Sequence, residues 1–156
     1  MRAFLLLSSL TVCAMAVAAD APTAATSPAA AAPATGTPSA AAPAGAEVYF
    51  ITPKDGETVS GDVVVRFGLK GMGVAPAGIQ MPNTCHHHML VDADDVPAAD
   101  KPLGKDDHHM HFGGGQTETT LKLAAGKHTL QLVCADYLHV PFKPSVASPK
   151  ITVTVK

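Results

Sequence analysis

Runs of apolar or alternating residues fill the chain from residue 47 onward, and they predict β-strands. The clearest run, residues 151–155, places apolar side chains at every second position. Gly, Pro and Asp residues that favour turns separate the runs, and patterns typical of helices are nearly absent. Six strands are predicted, at residues 48–51, 63–69, 86–92, 117–123, 127–135 and 151–155. This spacing predicts an all-β fold, an immunoglobulin-like antiparallel β-sandwich, with a small barrel as the alternative.

The first 46 residues have a different composition and predict two segments that precede the domain. Residues 1–19 combine an early arginine, an apolar stretch and small residues at the end, which is the pattern of a secretory signal peptide. Residues 20–46 are almost wholly Ala, Pro, Thr, Ser and Gly, and their regularly spaced prolines block helix formation, so we expect a disordered linker. Residues 47–156 then form one domain, long enough to bury its own core.

The signal peptide and the charge of the chain limit where the protein acts and what it binds. Export from a bacterial cytoplasm predicts a periplasmic location, and the bulky Val12 before Cys13 argues against lipid attachment there. The formal net charge is −2. A weakly acidic protein is a poor partner for nucleic acid or for an anionic membrane surface. No later segment is apolar enough for membrane insertion after signal cleavage.

Two cysteines remain after signal cleavage, Cys85 and Cys134. In an oxidising compartment such a pair favours one disulfide. Cys85 also stands next to His86, so a thiolate metal ligand is the rival interpretation.

Six of the eight histidines lie in two short clusters, and this is the strongest indication of function. Residues 86–88 are all histidine, and residues 108, 109 and 111 form the second cluster. A strand directs residues i and i+2 to the same face, so two neighbouring strands could gather four imidazoles on one surface. Neutral imidazole is the commonest ligand for zinc, copper and nickel. The sequence therefore predicts a metal site with the favoured ligands His86, His88, His109, His111 and His139.

Other residues near these clusters are less certain candidates. His87 should point to the face opposite its neighbours. Met89 and Met110 could bind Cu(I) through their thioethers, or could fill the core as methionine usually does. Three carboxylates could orient a ligand through its second ring nitrogen, and these are Asp92, Asp107 and Asp136. Asp136 is equally typical of a turn.

Several longer motifs resemble those of one protein family. They include Tyr49-Phe50-Ile51-x-Pro53-x-Asp55-Gly56, the histidine triplet, and the run from His109 to Glu118. Together they resemble the DUF4399 domain over residues 47–155, which implies an exported β-sandwich without an assigned activity. The resemblance also implies a role for His86, His87, His88, His109, His111 and His139. It discounts His108, which stands where the family more often has asparagine, and it weakens the case for cysteine ligands.

Three functions fit these observations. The leading hypothesis is a non-enzymatic periplasmic protein that binds copper, or next zinc, for metal storage, delivery or resistance, with a metal-delivery partner. The second is a copper/zinc metalloenzyme of superoxide-dismutase type, because residues 109–113 are similar to a short run in that family. The third is a structural or adaptor domain in which the histidines are solvated or belong to a polar network.

Overall fold

The structure of the protein is a computed structural model, and it describes residues 40–94 and 96–156. The predicted signal peptide and residues 20–39 of the predicted linker lie outside the described residues. Within them the secondary structure is entirely of β type, which confirms the all-β prediction. The nine strands of the described part are β1 (Glu47–Thr52), β2 (Thr58–Val59), β3 (Val63–Lys70), β4 (Gly73–Val74), β5 (Thr84–Val91), β6 (His109–Phe112), β7 (Glu118–Leu121), β8 (Gly126–Ala135) and β9 (Ile151–Val155).

These strands form two sheets. The smaller sheet has the order β1-β3-β7, and the larger has the order β2-β9-β8-β5-β4, with β6 also pairing with β5. Most pairings are antiparallel, but β2 pairs with β9 and β4 with β5 in parallel. The larger sheet is therefore mixed where the sequence predicted a purely antiparallel one, whereas the smaller sheet is antiparallel as predicted. Both parallel strands are two residues long, and alternation over so short a stretch is too weak to predict a strand.

One hydrophobic core lies between the two sheets. In each long strand every second side chain points into it, as the alternating burial of β1, β3 and β9 shows. Side chains from both sheets contribute to this core, among them Val48, Val65 and Phe67 from the smaller sheet and Met89, Leu132 and Val153 from the larger. Burial of apolar side chains of this size contributes about 1.5–3 kcal/mol each to stability.

The outer face of the larger sheet is covered as well. All residues of β5 after Thr84 are buried, on both faces of the strand. A second, smaller cluster on this outer side contains Leu90, Leu103, Val133 and Ala135. Leu103 belongs to the loop between β5 and β6, so this loop folds over the sheet. The cover matters because it removes the outward-facing histidines of β5 from water.

Residues just before Glu47 also contact the strands. Ala42 and Ala46 pack against the main core, and Ala41 forms a bridge with Lys143. Their small side chains fit against this packed surface. No helix in the described ranges has the length and apolar character needed to cross a membrane.

A disulfide connects Cys85 in β5 with Cys134 in β8. The two Cα atoms are 5.6 Å apart, a common separation for this bond. Both side chains belong to the core between the sheets. The sulfur atoms therefore lie on the face of the larger sheet opposite His86 and His88.

Replacing both cysteines should destabilise the fold without dismantling it. The bond spans 49 residues, and closing a loop of that size stabilises the folded state by about 4 kcal/mol in the chain-entropy model. We expect the double variant Cys85→Ala/Cys134→Ala to lose about that much free energy of unfolding in a denaturant titration. The control is wild-type protein reduced with a dithiol, because it loses the disulfide but keeps both sulfur atoms. A loss below about 1 kcal/mol in both samples would contradict this expectation.

Candidate metal centre

Four imidazole rings meet on the outer face of the larger sheet. His86 and His88 lie two residues apart on β5, and His111 on β6 stands directly opposite His88 in the strand register. His139 comes from the loop after β8. The ring centroids of all six pairs lie between 4.7 and 5.9 Å apart. We call His86, His88, His111 and His139 the four-histidine cluster.

The ring nitrogens of this cluster converge. One nitrogen from each of His86, His111 and His139 lies within 4.8 Å of the other two. The Nε2 atoms of His86 and His88 are 2.9 Å apart. Two further buried nitrogens, Nδ1 of His88 and Nε2 of His111, have no hydrogen-bond partner among the residues that the structure describes. The cluster therefore contains ring nitrogens whose hydrogen-bonding capacity the described residues do not use.

Burial favours the neutral form of three of these imidazoles, those of His86, His88 and His111. The side chains of His86 and His88 are 1% exposed, while those of His111 and His139 are partly exposed. Burial and the neighbouring histidines lower the pKa of His86 to about 3 and that of His88 to about 2. Burial, His139 and Lys105 also lower the pKa of His111. A neutral imidazole keeps the lone pair that a metal ion needs.

A compact loop places His139 against the strands. The Asp136 carboxylate accepts hydrogen bonds from the backbone N–H groups of Leu138 and Val140, both at 2.9 Å. The backbone carbonyl of Asp136 accepts a third from the N–H of His139 at 2.9 Å. His139 itself has a φ of 69°, in the left-handed region that few non-glycine residues adopt. Of the two roles predicted for Asp136, the structure shows the turn-forming one.

Gly113 leaves the space that the His111 ring occupies. A Cβ atom at position 113 would lie 2.6 Å from Nε2 of His111 and 3.3 Å from Cβ of Ala77. The Gly113 carbonyl accepts a hydrogen bond from the Ala77 N–H at 2.9 Å, and the next residue, Gly78, donates to the Tyr137 carbonyl at 3.0 Å. The segment at residues 77–78 therefore connects the end of β6 with the loop that carries His139.

His109 does not join the cluster, although the sequence analysis favoured it as a ligand. It lies on the same face of β6 as His111 but stands opposite Leu90 in the register. Its Nδ1 atom is 2.8 Å from both carboxylate oxygens of Asp106. These contacts and the backbone N–H of His108 lower the pKa of Asp106. The sequence contains one signal for Asp106, because an aspartate that precedes a strand is typical of an Asx turn. The sequence analysis named its neighbour Asp107 instead.

Three further candidates, His87, Met89 and Met110, lie on the other face of the sheet, in or against the core. His87 is fully buried there, with its ring centroid 5.2 Å from that of Phe67, and burial lowers its pKa to about 4. Met89 is buried in the same core, and Met110 packs against it. The sheet separates all three side chains from the four-histidine cluster, so they cannot share its coordination sphere.

The two other predicted carboxylates do not contact the cluster either. Asp92 accepts hydrogen bonds from Nδ1 of His128 and from the backbone N–H of Thr129, both at 2.7 Å. Asp107 is exposed, and no hydrogen bond joins it to a histidine in the described part of the chain. The hydrogen bonds of His128 to Asp92 and to the Ala124 carbonyl raise the pKa of His128.

Comparison with protein families identifies the domain. A family model described as a domain of unknown function, DUF4399, matches residues 65–156. The chain belongs to the DUF4399 family. The matched part of this DUF4399 protein contains all four members of the four-histidine cluster and the loops that cover them. Searches of curated proteins and of solved structures found no match.

The buried histidines should make the DUF4399 domain sensitive to acid. The pKa values of His86, His87 and His88 are lowered from 6.5 to about 3, 4 and 2, so below pH 6.5 the unfolded chain binds more protons than the folded one. The contribution of these histidines to the free energy of unfolding is therefore fully present above pH 6.5, their pKa in the unfolded chain, and it is lost as the pH falls below that value. We expect the free energy of unfolding of metal-free protein to drop by about 3 kcal/mol between pH 6.5 and 5.5.

Denaturant titrations at pH 7.5, 6.5 and 5.5 would measure this change. The raised pKa of His128 acts in the opposite sense, because its stabilising contribution is present at low pH and lost as the pH rises. A His128→Ala variant should therefore show a steeper loss than the wild type. A free energy of unfolding that stays constant over this range would show that the histidines are not buried as neutral groups.

Proposed function

We propose that this protein binds one transition-metal ion at the four-histidine cluster. The observation that supports this most is the convergence of four imidazoles, two of which have a buried ring nitrogen without a hydrogen-bond partner among the described residues. Burying an unsatisfied polar group costs about 1–3 kcal/mol. A bound cation would use the lone pair of the unpartnered His111 Nε2 and offset that loss there.

The spacing of the nitrogens fits an ion after a contraction of the site. Metal–nitrogen bonds of about 2.1 Å place the four ligand nitrogens of a tetrahedral ion about 3.4 Å apart. The Nε2 atoms of His86 and His88, at 2.9 Å, are already closer than that. The widest spacing in the His86–His111–His139 group, up to 4.8 Å, must shrink by roughly 1.4 Å. Rotation of the two partly exposed rings, His111 and His139, would bring these nitrogens together.

Copper is our first choice of metal, and zinc the second. All four donors are imidazole nitrogens, which suit both ions, and sites of this kind bind Cu²⁺ more tightly than Zn²⁺. The thioethers that would favour Cu(I) are on the other face of the sheet, because Met89 lies in the core and Met110 packs against it. The donor set therefore supports the divalent ions.

The geometry favours binding over catalysis. Structural zinc sites use four protein ligands, whereas catalytic sites keep one position open for water or substrate. Four histidines can fill a tetrahedral site, and two of them are closed off from solvent. A metalloenzyme of superoxide-dismutase type would instead need a position that a small molecule can reach.

The biological role that follows is metal storage, delivery or resistance in the periplasm. It depends on the predicted signal peptide for export and on a metal-delivery partner. The two sheets around one core support our proposal that the fold is a sandwich of immunoglobulin-like type. On such a fold the ion would lie outside the main core, between the larger sheet and its covering loops.

Removing a partly exposed ligand should abolish stable metal binding. We expect His111→Ala and His139→Ala to lose the equimolar copper or zinc that the untagged wild type retains after equilibration and dialysis. Even the loss of an outer-shell partner weakens metal affinity roughly 10–100-fold, so the loss of a ligand should weaken it at least as much. Metal content by elemental analysis is the measurement.

His128→Ala is the matched control, because both ring nitrogens of His128 are hydrogen-bonded elsewhere. It should keep the wild-type stoichiometry. Equal metal content in all four proteins, or no metal in the wild type, would refute the proposed function.

Gly113→Ala tests the site without removing a ligand. The new methyl group would occupy the space of the His111 ring, and that ring can rotate away. We therefore expect a folded protein whose metal affinity is at least about ten-fold weaker. Gly104→Ala is the control, since a Cβ there would meet nothing within 4 Å. Competition with a chromophoric chelator measures both affinities. Wild-type affinity in Gly113→Ala would show that His111 is not held as a ligand.

A further inference from the structure

His109 has the surroundings of a metal ligand although it lies outside the four-histidine cluster. Metal-binding histidines almost always direct their second ring nitrogen to a carboxylate, a carbonyl or water, which fixes the ring and its tautomer. The Nδ1 atom of His109 makes such a contact with Asp106, at 2.8 Å to both oxygens. Because a carboxylate only accepts, Nδ1 carries the proton. In the neutral form of such a ring the lone pair is then on Nε2.

Asp106 is itself held in place. Its Oδ1 atom accepts hydrogen bonds from the backbone N–H groups of His108 and His109, each at 2.8 Å. The loop is closed further by backbone hydrogen bonds in both directions between Asp106 and His109. The His109 ring is thus oriented before any ion arrives.

The position of His109 connects solvent with the cluster. His109 and His111 are two residues apart on one strand, so their Cα atoms lie about 6.5–7 Å apart on the same face. The His109 side chain is 22% exposed and that of Asp106 is 58% exposed, whereas His86 and His88 are 1% exposed. An ion from solvent can therefore reach His109 before it reaches the buried part of the cluster.

We propose that His109, oriented by Asp106, captures the divalent metal ion and passes it to His111 and the rest of the cluster. This inference rests on the proposed function. Transfer exchanges one imidazole nitrogen for another around the same ion, with no change in its charge. The carboxylate of Asp106 adds a negative charge where the cation first binds, which favours its approach.

A purely structural role for the Asp106–His109 pair predicts something different. In that case the pair only closes the loop before β6, and its loss would lower stability without a specific effect on metal kinetics. His109→Gln separates the two, because a glutamine amide can still donate to Asp106 but does not replace imidazole as a ligand. Asp106→Asn keeps a side-chain oxygen that can accept the backbone N–H groups of His108 and His109, and it removes the charge.

Stopped-flow mixing of metal-free full-length protein with Zn²⁺ or Cu²⁺ provides the test. We expect His109→Gln to slow both association and dissociation by about ten-fold, and Asp106→Asn to slow them by a smaller factor. Thermal unfolding of the metal-free variants checks that the loop is intact. His128→Gln is the control and should bind at the wild-type rate.

The outcomes distinguish this inference from the proposed function. Wild-type rates in His109→Gln, with metal bound by the wild type, would overturn the capture role and leave the cluster as the binding site. Slower association without slower dissociation would also overturn it, since His109 would then be a ligand of the final complex. A wild type that binds neither ion would instead refute the proposed function.

Discussion

Four imidazoles packed together with too few hydrogen-bond partners in the described part of the chain are the constraint on which the rest of this structure depends. His86 and His88 are buried, and neither Nδ1 of His88 nor Nε2 of His111 has a hydrogen-bond partner within residues 40–94 and 96–156. Folded domains are stable by only about 5–15 kcal/mol, so several unsatisfied buried groups are a large burden. A cation shared by the four rings would offset that burden, which is why the cluster is more easily understood as a binding site than as packing.

Each ring is positioned by a different structural device. Strand alternation directs His86 and His88 outward, and the register with β6 brings His111 opposite His88. The hydrogen-bonded Asp136 loop turns the chain so that His139 faces the strands. Ala135 of β8 pairs with His86 of β5, and its small side chain leaves room for the His86 ring. The site therefore combines local turn chemistry with pairing between strands that are far apart in the sequence.

The sequence predicts the strands of this fold better than it predicts the tertiary contacts of their side chains. All six predicted strands have counterparts in the structure, and the H-x-H spacing predicted correctly that histidines of two strands share one face. Alternation also predicts that Met89 faces away from His88, but not whether that side is core or solvent. Whether His109 reaches the cluster depends on the turn at Asp106, and the space for His111 depends on Gly113. Both are tertiary features that periodicity does not report.

The disulfide between β5 and β8 has a consequence for which side chains reach the outer surface. A slip of one residue between paired strands exchanges the two faces of the slipped strand. In β5 such a slip would turn His87 and Met89 outward and bury His86 and His88 between the sheets. Cys85 immediately precedes the triplet, and its covalent bond to Cys134 fixes the alignment of these two strands. The crosslink thereby determines which members of a run of three identical residues face the four-histidine cluster and which one faces the interior.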